Sequence, residues 1–152
     1  MIARVFGAVW FLSLLAITAT LLYQYASFPQ TVTLLEAEPG PISVSSEVLF
    51  YLVLASISIL NVLIFPVTFF SKDPSFRAWF FGLITTLNIF LIISVSFITL
   101  YNSGEKYDYQ RLEMIIQGSI GLFVFWTLVW PIYWAYKNFI KKSAGTEQTT
   151  TN

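Results

Sequence analysis

Four apolar stretches, none containing a charged side chain, occupy most of this chain: Val5–Tyr25, Val48–Phe70, Ala78–Tyr101 and Met114–Tyr136. Crossing a hydrocarbon core of ~30 Å takes about 20 residues of α-helix at ~1.5 Å per residue. Each stretch is long enough. In lipid a spanning backbone must satisfy its own hydrogen bonds, which leaves helices for segments of this kind. The pattern predicts an all-α integral membrane fold: a four-helix transmembrane bundle over residues 1–142, then a polar, threonine-bearing tail over 143–152 that is expected to be disordered.

Composition supports a lipid environment. Only 11% of residues are charged, against about 25% in a typical soluble domain. The formal net charge is zero, so nucleic acid is not indicated as a partner. Cysteine and histidine are both absent. Disulfides, thiol chemistry, thiolate metal sites, the usual haem ligands and the commonest general base go with them. No cofactor is expected. The first stretch begins near Arg4 as a signal peptide would, but it is long, and Thr20–Ala26 offers no clean small-x-small cleavage site. It is expected to be retained as a span.

Positive residues set the threading. Arg4, Lys72, Arg77, Lys137, Lys141 and Lys142 would share one face, and only Lys106 and Arg111 the other. That asymmetry predicts cytoplasmic termini, a cytoplasmic link around Lys72–Arg77, and an outer first loop over residues 26–46. Three lysines after the last span would form a weak anchor to anionic lipid. The short link containing Pro74 should hold spans two and three antiparallel and in contact. In the first loop, Thr31–Leu35 and Ile42–Ser45 are β-prone and flank Glu38-Pro39-Gly40-Pro41. They suit either a small hairpin or an irregular loop. Gly104 marks the turn of the third loop.

Asn61 and Asn88 are the most informative polar residues, because each falls near the middle of its span. Folding spans two and three about Pro74–Ser75 brings them to similar depth. An unpaired amide in hydrocarbon is costly, so they are expected to bond each other or another helix. Two roles stay open for them, helix-to-helix glue and a polar spot on a ligand or ion path. Pro66 and Pro131 remove donors to the carbonyls of Val62 and Thr127 and should bend spans two and four. Matched kinks could open a vestibule or merely adjust packing.

Trp126, Trp130 and Trp134 recur at intervals of four, with Phe123 and Tyr133 beside them. They form an aromatic stripe on span four. The stripe suits packing and interfacial anchoring, or a site for a flat lipophilic molecule such as a quinone. Ala3 with Gly7, Gly82 with Thr86, and Gly118 with Gly121 are candidates for close helix approach. The hydroxyls of Ser56, Ser58, Thr85, Thr86, Ser94 and Ser96 should mostly bond their own helices. No Asp, Glu, Lys, Arg or His lies within a span. That argues against proton relays, voltage sensing and most ion-coupled carriage, and no catalytic residues are assigned.

The first loop resembles a motif in small bacterial membrane proteins related to the spore-delaying-toxin immunity protein. Their motif reads Leu-Pro-x-x-Val-Pro-x-His, with a glycine five residues beyond the histidine. Phe28-Pro29-Gln30-Thr31-Val32 and Gly40 keep the proline, valine and glycine spacing, while Thr33 and Leu35 replace the second proline and the histidine. The match covers about a dozen residues and lends no catalytic group. The resemblance implies a small membrane protein with a sensing, immunity or unassigned role, and the bacterial cytoplasmic (inner) membrane is the expected location.

The leading expectation is thus a non-enzymatic interaction, accessory or sensing/immunity component. Its partners would be the lipid bilayer, other membrane proteins or further copies of itself. One alternative is an oligomeric transporter or channel. The other is a membrane redox or lipid-handling protein using the Trp126/Trp130/Trp134 stripe.

Overall fold

The computed structural model describes residues 2–35, 39–104 and 109–147. In chain order the elements are α1 (Ile2–Tyr25), β1 (Thr31–Leu35), β2 (Ile42–Ser45), α2 (Ser46–Val62), α3 (Ile64–Phe70), α4 (Pro74–Asn102) and α5 (Tyr109–Glu147). Taking α2 and α3 as one span, four helices are long and apolar enough to cross a membrane.

Helix α4 is the centre. It starts cleanly because Asp73 accepts from the Ser75 amide and Pro74 occupies a first-turn position where its missing donor does no harm. Its strongest partner is α1, which is not its neighbour in sequence. Gly7 lies against Phe81, and Ser13 against Asn88, so the two helices run in the same direction. Residues Ser13, Ile17 and Leu21 give α1 a buried stripe at intervals of four. Leu49, Val53, Ile57 and Asn61 give α2 the same. These stripes and Val95 enclose one apolar core near one end of the bundle. Ile64, Phe81 and Ile84 form a second core near the other end.

Span two breaks between α2 and α3 at Leu63. Pro66 cannot donate to Val62, and regular bonding resumes with the Val67 amide on the Leu63 carbonyl at 3.3 Å. No such break accompanies Pro131, which lies inside a helix that continues through it. Span four is longer than expected. Its 39 residues extend about 58 Å at 1.5 Å each. The helix also runs five residues into the segment expected to be a disordered tail, ending at Glu147. Beyond Pro131 only Gly145 opposes helix, and lysine, serine and alanine let the backbone continue. The rest of that tail, 148–152, lies outside the described residues.

The first loop is a hairpin. Strands β1 and β2 pair antiparallel, with Val32 opposite Val44 and Thr33 opposite Ser43, and the register shifts between Thr33 and Leu35. The hairpin caps one end of the bundle. Val32 points into the core and is fully buried. The Asn102 side chain, at the end of α4, accepts from the Thr33 amide at 2.8 Å and donates to the Thr33 carbonyl at 3.0 Å. Ser45 then caps α2 through the Val48 amide. Gly104 takes a left-handed φ of 70° beyond α4, a turn that glycine adopts without strain.

Helix α5 is peripheral. Of its apolar window 6% is buried, against 28% for α4. The molecule is therefore a tight assembly of α1, α2–α3 and α4, with α5 laid along α4 on one side.

Candidate functional site

Two places gather the residues that sequence marks as informative. The first is a polar cluster between the two apolar cores. Asn61 donates to Asn88 Oδ1 at 3.0 Å, and Asn88 donates back to Asn61 Oδ1 at 3.1 Å. Asn88 also donates to Ser13 Oγ at 3.0 Å, and Ser13 donates to the Trp10 carbonyl. The Trp10 indole donates to Asn61 Oδ1 at 2.7 Å, and Asn61 uses its second amide hydrogen on the Ile57 carbonyl. Asn61 thus uses both donors and both acceptor positions, and Asn88 uses both donors and one acceptor position. Asn88 is 0% exposed and Asn61 6%. Three spans meet at this point.

Such a cluster has a clear physical capacity. It contains no titratable group, so it relays no proton by ionisation. The amide and indole hydrogens of Asn61, Asn88 and Trp10 are all taken within the cluster, and the one spare acceptor position of Asn88 is fully buried, so no donor is left for a solute. Sequence reasoning found the two asparagines but missed Trp10 and Ser13. A signal was present, since tryptophan favours the interface and Trp10 stands well inside its span. The hydroxyls of Ser56, Ser58, Thr85, Thr86 and Ser94 bond carbonyls of their own helices.

The second place is the aromatic contact of α4 with α5. The Trp79 indole donates to the Trp126 carbonyl, and the Trp126 indole donates to the Trp79 carbonyl, both at 2.8 Å. Gly82 makes room for this. A Cβ there would collide with the Trp126 ring. Phe76 and Trp79 flank Trp130, with ring centroids 5.1 and 6.0 Å away. Phe6 of α1 reaches Trp126 at 5.7 Å.

The expected stripe therefore divides. Trp126 and Trp130 pack against α4, while Trp134 is 59% exposed. A step of four residues overshoots the helical turn by ~40°, so Trp134 has rotated ~80° from Trp126. Phe123 is half-buried, and its carbonyl accepts from Thr127 Oγ. Gly118 and Gly121, expected at a close approach, have nothing within 4 Å of an added Cβ.

Where α1, α4 and α5 diverge, a groove of about 600 Å³ opens at the end of the bundle opposite the hairpin. Trp79, Trp126, Trp130 and Tyr133 form much of its wall, with Ala3 and Phe6 opposite. The Lys137 ammonium sits 5.9 Å from the centroid of the Tyr133 ring. On another side of α4, Arg77 lines a shallower groove beside Pro66 and Phe70, and its Nε is buried with no partner among the described residues. Among the described residues no group of three or more carboxylates is placed to hold a metal ion.

Comparison with protein-family models, with curated proteins and with solved structures gives no match to this chain.

Proposed function

We propose that this chain is a small multi-pass membrane protein with a non-enzymatic role, an interaction, accessory or sensing/immunity component that meets its partner through the hairpin. By the positive-inside rule the termini and the Ser71–Asp73 link face the cytoplasm, and the hairpin faces outward. A bacterial inner membrane suits this reading and the loop resemblance that accompanies it.

The observation that carries the proposal is how the hairpin is held. Val32 is sunk in the core and Asn102 grips both backbone groups of Thr33. A two-stranded hairpin alone is marginal in water. This one is fixed to the bundle while Leu34 and Ile42 remain 39% and 52% exposed. A pre-ordered surface loses little entropy on binding. The polar cluster is consumed by helix contacts, which favours recognition over transport.

The test is photocrosslinking in native membranes from Leu34 and Ile42, with Phe125 on α5 as the lipid-facing control. Discrete protein adducts from the hairpin positions, absent at Phe125, support the reading. Adducts to lipid alone at every position, or solute flux by the purified protein in liposomes, overturn it.

A further inference from the structure

We propose that the groove between α1, α4 and α5 is a binding site for one anionic phospholipid, with an acyl chain against Trp79, Trp126 and Trp130 and the phosphate among Arg4, Lys72 and Lys137. The site lies at the opposite end of the bundle from the hairpin, so it stands or falls independently of the partner surface.

The charge around the groove selects this occupant. Arg4 directly follows groove residue Ala3, Lys72 lies two residues before groove residue Pro74, and Lys137 rests over the ring of groove residue Tyr133. All three side chains are exposed. The nearby carboxylate of Asp73 is turned to the Ser75 amide as a helix cap. This end of the bundle therefore carries three exposed cations against the single nearby carboxylate of Asp73, with Lys137 placed over a groove residue, while the groove walls are almost wholly apolar. That pairing matches a phosphodiester joined to a hydrocarbon chain. A quinone offers no negative charge, and a soluble anion offers nothing for the walls. The volume of about 600 Å³ falls within the ~300–1,000 Å³ usual for small-molecule sites. The peripheral packing of α5 keeps the groove open, because α1 and α5 do not close over it.

Tryptophan fluorescence quenching by brominated lipid reads the occupant directly. The chain carries Trp134→Phe, so that the indoles left are the three of the groove and Trp10, which is bonded into the polar cluster. It is reconstituted with brominated phosphatidylglycerol or brominated phosphatidylcholine at equal mole fraction. The anionic lipid is expected to quench more strongly. Each charge removed should weaken the preference about fivefold at low salt. R4Q/K72Q/K137Q should abolish it with an unchanged unfolding midpoint, because all three side chains are exposed. Ala3→Phe, which fills the groove, should lower quenching by both lipids. Salt at 1 M, where the screening length is ~3 Å, should reduce the preference in the unsubstituted groove and serves as a check that needs no variant. Equal quenching by the two lipids, a preference that survives the triple substitution, or a dimer that excludes lipid from the groove would each overturn the assignment.

Discussion

Replacing Asn88 with leucine removes three hydrogen bonds at once, two with Asn61 and one with Ser13. Interhelical bonds in membrane proteins average ~0.6 kcal/mol, so their loss destabilises the bundle by about 2 kcal/mol. One amide hydrogen of Asn61 is then left against leucine, which adds about 1–3 kcal/mol. Asn61→Leu breaks the same mutual pair and also strands the Trp10 indole. In the double variant the mutual pair is counted once, not twice. The double variant should therefore be less destabilised than the two single changes predict together, by about 1 kcal/mol.

The assay is equilibrium unfolding in mixed micelles on raising the denaturing detergent, followed by circular dichroism, for the parent, both single variants and the double. Independent sites add within ~0.3–0.5 kcal/mol. A coupling inside that range would mean that the two amides do not hold each other, and the argument for helix glue would fail. It would fail in another way if both single variants kept full stability and changed solute flux in liposomes, because the asparagines would then belong to a pathway.

Gly82→Leu should detach α5, because the Trp126 ring must leave its notch and the two indole–carbonyl bonds go with it. Overpacking of this kind costs about 1–3 kcal/mol, and the loss should appear as faster disulfide formation between cysteines placed on the far faces of α4 and α5. Asn102→Ala should raise hydrogen exchange at the Thr33 amide severalfold and leave the α1–α4 contact unchanged, since it severs the hairpin clamp and otherwise only a bond to the Ile98 carbonyl of its own helix. The chain has no cysteine, so single cysteines report topology without background: positions Ser71 and Lys137 should label from one side of the membrane and Ser43 from the other. Labelling of Ser71 and Lys137 from opposite sides would refute the threading.

Much of the architecture was legible because lipid tolerates few sequences. The uncharged stretches gave four spans, and the β-prone runs around Pro39 and Gly40 became the two strands. The Asn61–Asn88 contact followed from depth matching about Pro74–Ser75. What escaped was pairing between helices distant in sequence. Nothing in the periodicity of α1 says that it lies parallel to α4, so Trp10 and Ser13 could not be joined to Asn88. Nor does spacing say which small residues meet a neighbour. Gly82 is needed because an indole from α5 sits against it, while Gly118 and Gly121 face open space. The proline rule was uneven for a similar reason. Pro66 falls where α2 can end and α3 begin, whereas Pro131 lies on an exposed helix in which nothing forces a break.

Cohesion between helices in lipid cannot draw on burial of apolar surface from water, because lipid tails are as apolar as leucine. Shape and polar bonds must then decide which helices stay together. This chain places its polar contacts at three depths. Asn61, Asn88, Ser13 and Trp10 join α1, α2 and α4 in the middle. Asn102 joins α4 to the hairpin at one end. Trp79 and Trp126 join α4 to α5 toward the other. Every one of these bonds involves α4 or a residue bonded to it, which explains why α4 is the most enclosed helix. It also separates insertion from assembly. The spans would enter a bilayer by their hydropathy without any of these bonds, but beyond the Trp79–Trp126 pair α5 is held mainly by ring packing of Trp126 on Phe6 and of Trp130 on Phe76 and Trp79. Loss of the Trp79–Trp126 pair should release α5 while the polar cluster still holds the other spans. Loss of the cluster should loosen α1 and α2 while α5 remains on α4.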